Sequence, residues 1–422
     1  MVENSQSQQR KQNQKQKMLV LAPQPFFSPR GTPFSVYYRS MVTAELGYEI
    51  DLLTYGQGSD VAIDNVDLIR GPRLSFLGPV KTGPSAAKLV HDGFMFFKFL
   101  WLVISRKYDV VHAHEEAVFF AAFMKPIFGY RLIYDMHSSL PEQLDNFGYS
   151  KSRLLKNVFE FLEVRSLRAA DAIITICPAL RDQVAKLAPW AMPKHELIEN
   201  SIFEDVVMAT PVATTNPNSA SPTSPTCNGV GTNPPDPKLL AKGKTAVVYA
   251  GTLESYQGID ILLKGVSQLA AQRDDFALII AGGSEEQVAS FKAMADELGA
   301  SEHVQFLGQI IPRDARFLAA NADIILSPRS SGTNTPLKTY EQLACGVPLV
   351  ATKIYSHTQV LTDDLAVLVE PTAEGMADGI RALLDTPELG TKLVDAAKAH
   401  YAEHYARPVY TQKLNRLLEL VT

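Results

Sequence analysis

From Met18 onward the chain alternates short apolar runs with amphipathic stretches, the rhythm of strands and helices in an α/β sheet. MLVLAP (18–23) predicts a buried first strand, and the loop QPFFSPRGTP leads into a helix over about 34–46 that Gly47 stops. EIDLLTY (49–55), VDLIRG (66–71), DVVHA (109–113), LIYDMH (132–137) and AIITIC (172–177) continue a parallel sheet, and LIEN, ending at Asn200, closes the first half. A very apolar helix, GFMFFKFLWLVI (93–104), connects the third and fourth strands; it is too short to span a bilayer. A buried helix is its plainer reading. Docking on lipid is the other, since Lys81, Lys88, Lys98, Arg106 and Lys107 surround it.

The pattern breaks at residues 210–237, almost wholly Pro, Ser, Thr, Asn and Gly, which bury too little apolar surface to offset the entropy of ordering them. It then restarts with AVVYAG (246–251), ALIIAGG (277–283), VQFLG (304–308), ADIILS (322–327), PLVAT (348–352) and LAVLVE (365–370), and residues 371–421 read as helical throughout. The expected organisation is a disordered tail over 1–17, a parallel-sheet domain over 18–205, a disordered linker over 206–243 and a second parallel-sheet domain over 244–402. A final helix over 403–422 is expected to cross back to the first domain.

Composition narrows the class. The 422 residues are 46% hydrophobic, with mean hydropathy close to zero, which suits a soluble enzyme of two domains. A net charge of -5 offers no sustained basic excess for nucleic acid. Cys177, Cys227 and Cys345 lie far apart, in neither disulfide nor zinc spacing, so a reducing cytoplasm is expected.

Candidate chemistry gathers in the loops after the strands, where open parallel sheets bind ligands. In residues 322–351 a strand is followed by SPRSSGTNT and then a helix, with Thr335 as the expected cap and Pro336 at the first position. Free amides there attract an anion such as phosphate. Lys338 and Glu341 share one face of this helix; an ordinary βαβ unit with a surface Lys/Glu pair is the plainer reading. Gly251, Gly282 and Gly308 lie in the neighbouring loops, and Gly31 and Thr32 precede the helix after the first strand. His112, His114 and Glu115 end one strand, Asp135 and His137 the next; packing histidines explain these as readily as a site. A metal on this pair of strands is disfavoured because the linker does not suit a closed barrel, and no nucleophile elbow is present.

These segments resemble a known family. VVHAHE, YDMH, AGTLESYQGIDILL and SGTNTPLKTYEQLACGVPLVAT look like retaining glycosyltransferases of the GT-B fold, family 4, over all but the tail and linker. The resemblance implies an α/β fold of two Rossmann-like parallel-sheet domains facing a central cleft, the C-terminal one holding a nucleotide diphosphate sugar and the N-terminal one the acceptor. It assigns Glu341 to the ribose hydroxyls, Gly332, Thr333, Asn334 and Thr335 to the sugar and diphosphate loop, His137 to the anomeric centre, and Gly31 to the diphosphate. His137, Lys338 and Glu341 are the expected catalytic group. Gly31, Thr32, Gly251, Thr252, Gln257, Gly282, Gly308, Arg329 and residues 332–335 are the expected donor site, with His114, Glu115 and Asp135 on the acceptor side.

Thr252 and Gln257 stand where the family usually has an arginine and a lysine, and Thr333 where it has a glutamate. Arg329, Lys338 and the helix dipole are the remaining cations for the diphosphate. No Asp-x-Asp occurs, so transfer without metal or cofactor is expected. The expected activity is hexosyl transfer to a hydroxyl of a glycan, lipid or small molecule, in cell-envelope polysaccharide or glycolipid synthesis. A nucleotide-sugar 2-epimerase and an inactive nucleotide-sugar-binding homologue are the alternatives. The cytoplasm is the expected location, with peripheral contact at the inner face of the plasma membrane through residues 93–104.

Overall fold

The computed structural model describes residues 16–27, 31–78, 80, 85–139, 153–200 and 234–422. Residues 1–15 of the expected tail and 206–233 of the expected linker lie outside the described residues. The chain divides into two compact units, Met1–Ile202 with Arg407–Thr422, and Phe203–Ala406.

The first unit runs β1 (Lys17–Ala22), α1 (Gly31–Glu45), β2 (Glu49–Thr54), β3 (Val66–Arg70), α2 (Ala86–Ser105), β4 (Val110–His114), α3 (Ala117–Phe128), β5 (Arg131–Met136), α4 (Arg153–Ala169), β6 (Ala172–Thr175), α5 (Pro178–Leu187) and β7 (His195–Leu197). Its seven strands are parallel in the order β3-β2-β1-β4-β5-β6-β7. The chain reverses its direction of travel across the sheet between β1 and β4, a switch point that leaves room for a ligand beyond the strands' carboxyl ends. Continuous Val, Ile and Leu runs suit these strands because helices cover both faces. Leu19, Leu21, Val111 and Leu132 pack with Phe99 and Leu102 of α2 in one core cluster.

α1 starts at Gly31, three residues before the expected position. Pro33 explains the difference, since a proline in the first turn loses no hydrogen bond. α2 opens with Ser85 accepting from the Lys88 amide. It buries Met95, Phe99, Leu102 and Val103 but leaves Phe97 68%, Trp101 52% and Ile104 67% exposed. The helix is therefore only half a core helix. No helix among the described residues is long and apolar enough to cross a membrane.

The second unit runs α6 (Pro237–Leu240), β8 (Thr245–Ala250), α7 (Ile259–Ala270), β9 (Phe276–Ala281), α8 (Glu285–Glu297), β10 (Val304–Gly308), α9 (Pro312–Ala320), β11 (Ile324–Ser327), α10 (Leu337–Ala344), β12 (Leu349–Thr352), α11 (Tyr355–Thr358), β13 (Val367–Val369), α12 (Ala373–Asp385) and α13 (Pro387–His404). Six parallel strands lie in the order β10-β9-β8-β11-β12-β13, again with a switch point, between β8 and β11. Ile259, Leu262, Leu263, Val266 and Leu269 form the buried stripe of α7, each contributing roughly 1.5–3 kcal/mol by burial.

Two boundary expectations are corrected. Residues 234–243 are not disordered linker: Asp236 accepts from the Lys238 amide at 2.9 Å, Pro237 takes the first helical position, and Ala241 is buried. A Pro-rich composition concealed a cap followed by a first-turn proline. The final helix begins at Arg407 and not at 403, because the helix opened by Pro387 runs on to His404; the segment 371–421 is helical as expected, in three pieces. That last helix, α14 (Arg407–Leu418), packs on the first unit through Arg407–Glu45, Lys413–Glu199 and Arg416–Glu196 ion pairs at 2.5–2.6 Å.

Candidate active site

In the second unit the loops beyond β8, β9, β10 and β11 converge. Gly251 donates its amide to the Ala281 carbonyl at 2.9 Å, and Gly282 donates to Gly308 at 2.7 Å. Gly282 (φ 126°) lies so close to its neighbour that a Cβ would come within 1.8 Å of the Gly251 oxygen. Backbone contact at these distances requires glycine. The Ser330 amide donates to Tyr256, which ties the loop after β11 to the turn holding Thr252 and Gln257. Gln257 Nε2 donates to Thr252 Oγ1 at 3.3 Å, so the two residues standing at the family's usual cation positions bond each other.

Lys338 and Glu341 project from α10 in the same region but do not pair. Lys338 Nζ is buried 4.3 Å from the centre of the Tyr249 ring and has no hydrogen-bond partner among the described residues. Burial, reinforced by Arg329, lowers its ammonium from 10.5 to about 7, against the opposite pull of Glu341. Glu341 takes Arg316 Nε at 2.9 Å; burial raises its carboxyl, while Arg316 and Lys338 oppose the shift. The plainer reading of a surface Lys/Glu pair is therefore replaced by two half-buried groups that do not pair: Glu341 holds Arg316, and Lys338 Nζ packs on the Tyr249 ring without a hydrogen bond.

Arg329 is folded onto its own loop. It donates to the carbonyls of Ser331 at 2.7 Å and Asn334 at 3.4 Å and stacks 5.1 Å from the Tyr256 ring. Gly332 (φ 130°) makes room, since a Cβ there would meet the guanidinium at 2.4 Å. Gln359 Nε2 donates to the Thr333 carbonyl at 2.5 Å. Thr335 does not cap α10: Pro336 occupies the cap position, and Thr335 Oγ1 is buried without a partner among the described residues. Pro336 starts the turn one residue later than expected because its extended ψ of 135° suits a cap. His357, which the sequence reading left out, bonds Ser327 Oγ at 2.9 Å and the Thr352 carbonyl at 2.8 Å, and burial lowers it to about 4.

The first unit holds a second cluster. His112 and His114, two apart on β4, face the same way, and Asp135 pairs in register with His114 on β5. Asp135 Oδ2 accepts from Arg39 Nη1 at 2.6 Å and lies 3.1 Å from His112 Nε2 and 3.2 Å from His114 Nδ1. His137 Nε2 stands 3.0 Å from His114 Nδ1 and 3.2 Å from Asp135 Oδ1. All five side chains are buried. Burial, the largest single influence, opposes ionisation of Asp135, yet Arg39 together with His114, His137 and the His112 hydrogen bond outweighs it and holds the carboxyl well below its usual range; burial also lowers His112 and His114. The ligand atoms of His112, His114 and Asp135 lie within 4.8 Å of one another, but the Arg39 charge on the shared oxygen repels a cation. The arrangement is a hydrogen-bond network.

Arg39 itself was missed in the sequence, although a lone arginine inside YYRSMV was a signal. It also donates to Tyr410 Oη of α14 and to the Ile198 carbonyl, both at 3.2 Å. Glu115 (φ 49°) joins the network only through its amide, which donates to the Asp135 carbonyl at 3.1 Å. Its carboxylate faces Lys88 at 3.8 Å instead. Gly31 and Thr32 form the first turn of α1.

Residues 31–202 match the family model described as Glycosyltransferase Family 4, and residues 233–400 that described as Glycosyl transferases group 1. The chain belongs to glycosyltransferase family 4. This glycosyltransferase is 29% identical over 182 residues to the phosphatidyl-myo-inositol mannosyltransferase of Mycobacterium leprae, a match covering 42% of this chain and 47% of that one. It thus spans about half the length of the curated relatives it matches. Among solved structures it is similar to sucrose-phosphate synthase from Thermosynechococcus elongatus, with a TM-score of 0.68 at 17% identity over 96% of this chain and 98% of that one. A second is HepE of Anabaena in complex with UDP, with a TM-score of 0.66 at 15% identity over 96% and 99%. Two Rossmann-like parallel-sheet units with such neighbours make the glycosyltransferase a GT-B protein.

Proposed function

We propose that this glycosyltransferase moves a hexose from a nucleotide diphosphate sugar to a hydroxyl of a glycolipid or cell-envelope polysaccharide acceptor, retaining the anomeric configuration and using no metal. The observation that carries the reading is the buried Lys338 Nζ in the first turn of α10, beside Gly251 and without a hydrogen-bond partner among the described residues. An unpaired buried cation is costly unless an anion arrives to meet it. A diphosphate is such an anion, and it gains further from the helix amides. Arg329 is the second cation of the donor site, and the Glu341 carboxylate can accept from both ribose hydroxyls. As the sugar–phosphate bond breaks, Lys338 and the amides neutralise the leaving diphosphate. In the first unit, His137, His114, Glu115 and Asp135 are the candidates for contact with substrate.

A lipid-linked acceptor is favoured by two observations. The mycobacterial relative's name specifies phosphatidyl-myo-inositol, and α2 exposes Phe94, Phe97, Trp101 and Ile104 in a stripe beside Lys98. Aromatic and basic residues on one exposed helix face suit the membrane interface, so the reading has the enzyme work in the cytoplasm at the inner face of the plasma membrane. The test is a screen of UDP- and GDP-sugars, each with and without lipid and glycan acceptors, scored for nucleoside diphosphate release. Release that requires an acceptor, and is lost in Lys338→Ala and Glu341→Ala variants that remain folded, is expected. An epimer formed from donor alone, or full activity in both variants, would refute it.

A further inference from the structure

We infer that His357, with Thr352 and Gln359, clasps the loop after β11 and acts as a positioning residue, holding that loop's amides and Arg329 in the arrangement a diphosphate needs. This rests on the reading that the loop belongs to the donor site. Every residue involved lies in the second unit.

The clasp joins the ends of two neighbouring strands. Ser327 closes β11, Thr352 closes β12, and the two strands pair directly. His357 on α11 is 0% exposed, and burial, helped by the charges of Lys338 and Arg329, keeps its ring neutral. A neutral imidazole has one N–H and one lone pair. Nδ1 stands 2.8 Å from the Thr352 carbonyl, which only accepts, so Nδ1 carries the hydrogen. The Ser327 hydroxyl, 2.9 Å from Nε2, therefore donates to the ring. The Thr352 hydroxyl in turn donates to the Arg329 carbonyl. One buried ring thus ties the start of the loop to the strand beside it.

The same short segment holds the far side of the loop, where Gln359 Nε2 donates to the Thr333 carbonyl at 2.5 Å. Arg329 takes the carbonyls of Ser331 and Asn334. Four loop carbonyls, those of Arg329, Ser331, Thr333 and Asn334, thus face side-chain donors. In a trans peptide the next N–H points opposite to the carbonyl, and no peptide bond among the described residues is cis. The amides of Gly332, Asn334 and Thr335 therefore each point away from the donor that holds their own peptide. Amides turned away from the loop's carbonyls, with a guanidinium on the same loop, suit an anion.

The test is calorimetry on the full chain with UDP, GDP and inorganic pyrophosphate. His357→Ala should weaken binding about 10-fold, as should Arg329→Ala. The double variant should lose little more than either alone, because both changes release the same loop. His357→Asn, whose amide reproduces the Nδ1 donor, and His357→Gln, whose carbonyl reproduces the Nε2 acceptor, should each recover part of the loss. Gln359→Ala removes only a bond at the loop's far side, so about 3-fold weaker binding at an unchanged melting temperature is expected even if His357→Ala does not fold. Losses that multiply in the double variant, or that merely track the melting temperature, would overturn the inference. So would unchanged binding in both His357→Ala and Gln359→Ala while Lys338→Ala loses it. Unchanged binding in Lys338→Ala, or no binding of any probe by the wild type, would instead overturn the donor-site reading, and this inference with it.

Discussion

The ammonium of Lys338 stands 4.3 Å from the centre of the Tyr249 ring, and Gly251 lies so near that a Cβ there would come within 3.0 Å of Nζ. A cation–π contact of about 0.5–2 kcal/mol replaces only part of the lost hydration, and the group falls to about 7. A bound diphosphate must raise it again. Between pH 7 and the higher value of the complex, the free protein is neutral at Lys338 and the complex is charged, so binding takes up a proton. Nucleoside diphosphate affinity should therefore fall by up to about tenfold per pH unit above 7, and calorimetry in buffers of different ionisation heat should record the uptake. Affinity that is flat from pH 6 to 9 would contradict this.

The carboxylate of Glu341 is paired with Arg316 at 2.9 Å and retains oxygen capacity for a diol. Glu341→Ala should weaken binding of a nucleoside diphosphate about 10–100-fold, as expected for hydrogen bonds to a charged group. A 2′-deoxy nucleotide should lose affinity on the wild-type protein but not on Glu341→Ala. Equal losses on both proteins would remove Glu341 from the ribose.

Gly258 (φ 68°) would bring a Cβ within 2.0 Å of the Pro328 oxygen, whereas Gly243 (φ 86°) has nothing within 4 Å. Gly243→Ala should cost about 1 kcal/mol from backbone strain alone. Gly258→Ala must in addition push apart the two loops of the proposed donor site. Thermal melts should rank it as clearly the more damaging, with weakened nucleotide binding in the remaining folded protein.

In the first unit Asp92, Glu115 and Glu116 face Lys88, and the Tyr55 hydroxyl donates to Asp92. Burial, with Glu115 adding repulsion, raises Asp92 to about 6 and Glu116 to about 7, above ordinary values of 3.8 and 4.5. The folded state thus holds protons that the unfolded chain has already released. Stability from these groups is lost as pH rises through the window from about 4 to 7, and the melting temperature should be lower at pH 8 than at pH 5. Lys88→Met should cost on the order of 3 kcal/mol at pH 8 and less at pH 5, where both carboxyls are protonated.

On α2, Phe97→Ser with Trp101→Ser should reduce cosedimentation with anionic vesicles without lowering the melting temperature, because both side chains are more than half exposed. Loss of folding in place of loss of binding would assign the stripe to the core.

The strands, their parallel order within an alternating β/α rhythm, and the helix carrying Lys338 and Glu341 were legible in the sequence. Strand and helix signals are local: a Val/Ile/Leu run or a proline before an amphipathic stretch carries its meaning within a few residues. The capped helix at Pro237–Leu240 was obscured because composition was weighed above the Asp-Pro pair that starts it. Partners of buried charges could not be read in this way. Topology alone sets Arg39 and Tyr410 around Asp135, and it separates Lys338 from Glu341 by giving one Tyr249 and the other Arg316. The reason is physical: burial makes a charge depend on its nearest neighbours, and in a parallel sheet those neighbours come from strands and helices remote in the chain.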